Sequence, residues 1–276
     1  MTFVIRTLFF TAALLCSVYV KDAKAEETIL THLQTPVKDQ ERRNTCAYFA
    51  VSAAVESAFK TLTGEDYDIS EEFEIFRHKI INAWRPEVEF GNTYDIMASL
   101  QNDLYLYEED QLPYQKESLD FTKPFNAGQM SFFDLRQKKI PKVSYRSLKF
   151  KEISKRHSSR SWSELAMEQI KQNRSVVITL NVAIPHINDA KGTFTMNKEI
   201  AEQCASGQIA CAGHAVLLVG YNTERRAFMF KNSWGPKWGD RGYGYVTFDH
   251  VDEFSDQPLY AYFDKFTSPS VKRVNP

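Results

Sequence analysis

Cys46 stands where a cysteine becomes chemically useful. From Cys46 to Lys60 the residues Ala47, Ala50, Val51, Ala54, Val55, Ala58 and Phe59 recur at spacings of three and four, the period of a helix with one buried face. A thiol in the first turn of such a helix feels the positive end of the macrodipole, which favours thiolate over thiol. A thiolate is a far stronger nucleophile than water, provided that a base stands beside it. Position alone does not establish this role, because a small cysteine also packs well in an apolar helix. Of the six histidines, His214 is the one that opens a patterned segment, and an apolar run from Ala215 to Gly220 follows it. His32, His78, His157, His186 and His250 have no such setting and read as structural or surface residues.

Two local patterns at opposite ends of the chain need one explanation. Near the start, Pro36-Val37-Lys38-Asp39-Gln40 leads to Cys46-Ala47-Tyr48-Phe49 and the helix. Near the end stand Ala212-Gly213-His214 with its apolar run to Tyr221, then Phe230-Lys231-Asn232-Ser233-Trp234-Gly235, then Trp238-Gly239. Here the sequence closely resembles the papain-like cysteine peptidases. They share a glutamine six residues before a helix-opening cysteine, a histidine before a strand ending Val-Gly-Tyr, and the Lys-Asn-Ser-Trp-Gly segment followed by Trp-Gly. The middle third matches only loosely, although Gly91 before Asn92-Thr93-Tyr94 looks like the family's substrate-backbone glycine.

The resemblance implies that Cys46 and His214 form a thiolate–imidazolium pair, the thiolate kept ionised by the imidazolium and the helix N-terminus, and that Asn232 holds the imidazole of His214 in the productive tautomer. It implies that the side-chain amide of Gln40 and the backbone N–H of Cys46 donate to the oxyanion, and that Trp234 shields the Asn232–His214 contact from water. Gly91, Asn92, Gly213 and Trp234 are the substrate-binding residues it suggests. The implied reaction is peptide-bond hydrolysis through an acyl-enzyme, with no cofactor and no metal. Two other readings remain open: a catalytically silent peptide-binding homologue, and a Cys-His amidase or transglutaminase-type acyl transferase. The Lys-Asn-Ser-Trp-Gly segment speaks against the second.

The sequence also departs from the family pattern. Three residues before the nucleophile, where the pattern has a cysteine, stands Arg43, and the aromatic place after the nucleophile holds Ala47. The helical lobe therefore lacks its usual bridge, and Arg43 is expected to add positive charge near the thiolate. The long interval between Cys46 and His214 suggests insertions in Lys116 to Arg160 and Asn188 to Cys211.

The elements that must position these residues are helices early and strands late. Asn44 and Thr45 are placed to cap the Cys46 helix. Further helices are predicted at Ser70 to Arg77, Thr93 to Asn102 and Ser163 to Gln172. Strands are predicted at Ser175 to Val182, Ala215 to Gly220, Ala227 to Lys231 and Gly244 to Phe248. This order is that of an α+β protein. The resemblance implies two lobes: a helical one over about 36–115, and a β-barrel-like antiparallel one over about 116–260, with the cleft between them. The polar, basic interval from Lys116 to Arg160 reads as loops and short strands at the lobe boundary.

Residues 1–25 read as a signal peptide: Arg6, an apolar run from Leu8 to Val20, and Ala23-Lys24-Ala25 at the cleavage place. The run is short for a membrane anchor, and Leu14-Leu15 before Cys16 do not suit a lipid-modified cysteine. The expected location is secreted or periplasmic. Three cysteines then remain, so one free thiol, Cys46, is expected beside a Cys204–Cys211 disulfide. Residues 26–34 are too few for an inhibitory lobe, so the signal-cleaved chain, residues 26–276, is expected to be active without further N-terminal processing unless the Lys116 to Arg160 interval covers the site. A net charge of −1 gives no global field for nucleic acid or an anionic membrane. The expected partner is a peptide or protein substrate met by a monomer.

Overall fold

The computed structural model describes residues 25–81, 89–102, 106–119, 148–155, 158–256 and 258–264. The proposed signal segment and the centre of the Lys116 to Arg160 interval lie outside them. The chain begins with strand β1 (Glu27–Ile29), then three helices: α1 (Cys46–Thr63), α2 (Glu71–Ile81) and α3 (Thr93–Asn102). After β2 (Leu148–Glu152) and α4 (Trp162–Lys171) come β3 (Val176–Ala183), β4 (Ile187–Asn188) and β5 (Thr193–Phe194). Helix α5 (Lys198–Ala205) precedes β6 (Cys211–Asn222), β7 (Ala227–Lys231), β8 (Tyr243–Thr247), α6 (Phe248–Glu253) and β9 (Leu259–Phe263).

The strands form one sheet in the order β2-β9-β3-β6-β7-β8-β5-β4, with β1 added at the far end of β6. All pairs are antiparallel except β5 with β8. The α+β class expected from the sequence is present, but the sheet is open and does not close into the expected barrel-like lobe. Among the described residues β2 and β4 are its unjoined ends.

Side chains alternate across the sheet with the period of two that an extended backbone dictates. Val177, Ala215, Leu217, Val219, Leu259 and Ala261 face α1 and α3 in one core cluster. Val176, Ile178, Leu180, Val216, Leu218 and Tyr260 face the other way, toward residues of α4 and α6. A central strand buried on both faces shows a continuous apolar run, which is why β6 reads so clearly in the sequence.

Local sequence sets the helix limits. Helix α1 stops at Gly64, whose left-handed conformation (φ 75°) lets its N–H reach Lys60 O at 2.8 Å. Helix α4 opens with a reciprocal capping box between Ser161 and Glu164. Helix α2 starts at Ser70, whose hydroxyl accepts from Phe73 N–H at 3.0 Å. The expected cap of α1 is different: Thr45 occupies the N-cap place, but its side chain caps no helical N–H and pairs with Tyr114 Oη at 2.8 Å. Among the described residues, Cys204 and Cys211 form a disulfide with Cα atoms 5.7 Å apart, joining the end of α5 to the start of β6, and Cys46 is a free thiol.

Candidate active site

Four segments meet at the N-terminus of α1. The apolar face of α1 packs on the sheet and fixes Cys46 over β6, where the Ala215 N–H donates to Cys46 Sγ at 3.5 Å. These two residues are 169 positions apart in the chain. His214 shares the strand parity of Val216 and Leu218, so its ring turns from α1 toward Phe194 and Trp234. It is 4 % exposed.

The tautomer of His214 follows from its neighbours. Its Nε2 lies 2.7 Å from Asn232 Oδ1, an atom that also accepts the Ser233 N–H at 2.9 Å. An oxygen that accepts from an amide must accept from the ring as well, so Nε2 carries the hydrogen and Nδ1 keeps its lone pair. Trp234 stacks on the imidazole with centroids 4.4 Å apart and planes at 27°, covering the bond to Asn232. Phe194 and Trp238 close the aromatic box around Trp234 at 5.7 and 5.2 Å.

Burial dominates the protonation of both groups. It pushes the Cys46 thiol up, against the pull of N–H groups from Ala215, Ala47 and Cys46 itself. It holds the His214 imidazole down at about 4, against the bond to Asn232, which favours the charged ring. Both shifts favour the uncharged forms, thiol and neutral imidazole, and so run against the thiolate–imidazolium pair that the resemblance implies.

Gln40 is held on both sides. Its backbone N–H donates to Ser233 O at 2.8 Å, and Ser233 Oγ donates to its Oε1 at 2.6 Å. Its Nε2 donates to Arg43 O at 2.7 Å, leaving the second Nε2 hydrogen uncommitted. Because the Thr45 side chain does not cap α1, it takes none of the N–H groups of the first turn, and the Cys46 N–H lies at the positive end of the helix.

The remaining expectations fare differently. Gly91 lies against α1 and α3, where a Cβ would come 2.5 Å from Ile96 Cδ1 and 3.1 Å from the Tyr48 ring, so a larger residue would have to displace both side chains. Asn92 spends its Oδ1 on the N–H groups of Tyr94 (2.8 Å) and Asp95 (3.4 Å), as the start of α3 requires. Gly213 is exposed on β6 opposite Asn181. The expectation for Arg43 is overturned: its guanidinium is buried between Glu72 and Glu89, which neutralise the charge before it reaches the sulfur. Sequence reasoning also missed a buried cluster below Asn232. There Lys38 Nζ meets Glu56 (3.0 Å), Glu71 (2.9 Å) and Asp68 (2.7 Å), and Lys231 Nζ donates to Thr35 Oγ1 at 3.0 Å. Lysines and glutamates in a helical and strand pattern look like solvated faces, and only the fold turns these inward.

Comparison with known proteins agrees with this fold. Cysteine proteinase 3 of Dictyostelium discoideum is 26% identical over 219 residues, which cover 76% of this chain and 54% of that protein. Zingipain-2 of Zingiber officinale is 26% identical over 216 residues, 75% of this chain and 80% of that one. The chain thus spans about half the length of the first of the curated relatives it matches. Xylellain, a cysteine protease from Xylella fastidiosa, superposes with a TM-score of 0.63 at 18% identity, covering 87% of this chain and 86% of that one, a likeness of fold. A sequence model of the papain family cysteine proteases matches residues 22–257, and the chain belongs to that family.

Proposed function

We propose that the protein is an exported cysteine peptidase in which Cys46 attacks the peptide carbonyl and His214 moves the protons. The observation that carries this reading is the order of groups along β6 and the Asn232 turn: Cys46 Sγ accepts from the Ala215 N–H, His214 is the residue before Ala215, and His214 Nε2 is held by Asn232 Oδ1. As the Cys46 sulfur bonds to the carbonyl carbon, its proton passes to His214 Nδ1. The oxyanion is met by the Cys46 N–H and the uncommitted hydrogen of Gln40 Nε2, a kind of contact whose loss costs about 3 kcal/mol in other acyl-transfer enzymes. The tetrahedral species expels the amine, which takes the proton from His214. Water then attacks the thioester, gives a proton back through His214, and releases the acid and the free thiol.

Export is supported by the apolar N-terminal run of the sequence and by the Cys204–Cys211 disulfide. Among the described residues no helix is long and apolar enough to cross a membrane. Peptide or protein is the proposed substrate class, and secreted or periplasmic the proposed location.

The test uses reduced, folded protein, an epoxide thiol-peptidase inhibitor and a mixed peptide library. The expected result is one covalent adduct on Cys46 and cleavage of the library, both lost in Cys46→Ala. Turnover by Cys46→Ala above about 1% of the unsubstituted protein would remove Cys46 from the mechanism. No adduct in a folded, reduced sample would favour the peptide-binding reading.

A further inference from the structure

Arg43 stands three residues before the nucleophile, buried, and takes no part in the chemistry above. All five of its N–H groups are placed. Nη1 donates to Glu72 Oε2 at 2.5 Å and to the Gln115 carbonyl at 2.7 Å. Nη2 donates to Glu72 Oε1 at 3.2 Å and Glu89 Oε1 at 2.6 Å, and Nε to Glu89 Oε2 at 2.9 Å. The guanidinium carbon also lies 4.7 Å from the ring centre of Tyr114, whose hydroxyl donates to the Gln40 carbonyl at 2.9 Å and pairs with Thr45. Lys79 Nζ adds a second cation on Glu89 at 3.1 Å. Two carboxylates thus face two cations, the condition under which buried charges are tolerated.

The contacts tie together three pieces of the fold. The first is the turn from Gln40 to Cys46, which carries both proposed oxyanion donors. The second is α2, through Glu72. The third is the segment from Glu89 to Asn92, in which Gly91 lies directly against Tyr48 of α1. We propose that Arg43 is a positioning residue that holds the oxyanion turn and the Gly91 wall of the cleft at a fixed separation, with ionic contacts standing where the family pattern has a cysteine. The inference rests on the peptidase reading.

Two features link the clamp to catalysis as well as to folding. The Arg43 carbonyl accepts Gln40 Nε2 at 2.7 Å, so a rotation of this residue rotates the proposed oxyanion donor. Glu89 is two residues from Gly91, so its loss frees the wall and leaves the Gln40 side in place. Burial alone would raise the Glu89 carboxyl, but hydrogen bonds from Arg43 and Ser118 and the charges of Arg43 and Lys79 hold it at about 2. The Glu89 arm is therefore held in its ionised form, while burial raises the Glu72 carboxyl against its hydrogen bonds and the charge from Arg43. Lysine would not replace arginine here, because a point charge cannot span two carboxylates in one plane.

Arg43→Lys and Glu89→Gln test the clamp, with all rates expressed per titrated Cys46. Two readouts are taken: peptide turnover, and alkylation of Cys46 by iodoacetamide, which forms no oxyanion and occupies no peptide subsite. Arg43→Lys is expected to lower kcat about tenfold or more while the alkylation rate stays within about threefold, since Cys46 and His214 are untouched. Glu89→Gln is expected to raise KM about fivefold with kcat within about twofold. A merely structural role would reduce the titrated fraction and leave kcat per site unchanged. That outcome, or turnover and alkylation falling in parallel, would overturn the proposal. Failure of the peptidase reading would show separately, as an unsubstituted protein that labels at Cys46 and cleaves nothing.

Discussion

Asn232 does two things to His214 that mutation can separate. It fixes the ring, and its hydrogen bond is the one influence that raises the imidazole against burial. In the proposed mechanism a neutral ring is the base, so activity is expected to fall as pH drops and the ring is protonated. The acid limb of kcat/KM is expected near 4, well below the 6.5 of an ordinary histidine. In Asn232→Ala kcat should fall by about tenfold to a hundredfold, less than for loss of the nucleophile, and the acid limb should move lower still. A limb between 6 and 7 in the unsubstituted protein would show that the ring is not desolvated as described. At this scale the sequence was highly legible where local spacing carries the signal: Cys46, His214, Asn232, Trp234 and Gln40 are all brought to one place. It was illegible where the partner is remote. Nothing near Arg43 announces Glu72 and Glu89, which lie 29 and 46 positions away, so a buried clamp read as a free charge.

Helices α1 to α4 and strands β3 and β6 to β8 were legible because each carries a full period of apolar residues or a cap. β1 was not, since three residues show no alternation, and it is a strand only because β6 offers it Gly220 to Asn222 as partners. Helix α5 lies in the Asn188 to Cys211 interval, which reads in the sequence as an insertion; its one signal is Asn197, whose Oδ1 accepts from Ile200 N–H at 2.9 Å. The disulfide closes the turn between α5 and β6 three residues before His214. In the chain-entropy account a loop this short contributes about 2–3 kcal/mol. Replacing both cysteines by serine should lower the urea midpoint accordingly. It should leave kcat within about threefold, because β3 pairs with β6 from Val176↔Leu218 through to Ala183↔Cys211 and holds His214 without the bond. An unchanged midpoint would show that the bridge contributes nothing, and a large loss of kcat would show that it, rather than β3, sets the base.

Across the whole molecule, stability should depend on pH through buried and half-buried ionisable groups on both sides of the sheet. Burial raises the Glu71 carboxyl to about 8 against the attraction of Lys38, and Glu109 is raised to about 7 by the same cause. Between an ordinary carboxylate value of 4.5 and these raised values the folded state holds more protons than the unfolded, so their contribution is present at low pH and lost as pH rises. His214 acts oppositely, with stability lost as pH falls from 6.5 toward 4. The two offset below 6.5; above it the carboxyls act, opposed by Lys231, whose ammonium burial lowers. The urea midpoint should therefore fall between pH 6.5 and 8, and Glu71→Gln should flatten that fall; a flat profile in the unsubstituted protein would contradict the assignment.

The 169 positions between Cys46 and Ala215 also have a meaning in time. A ribosome or export channel delivers the chain from its N-terminus, so α1 is complete long before β6 and the Asn232 turn exist. Until they arrive, the nucleophile has no base, no orienting amide and no aromatic cover. Contacts this remote form late, after the entropy of closing the long loop has been met. The chemistry proposed for Cys46 is thus withheld from the nascent chain by topology alone, and a molecule that stalls or is cut before β6 carries an ordinary thiol on a helix.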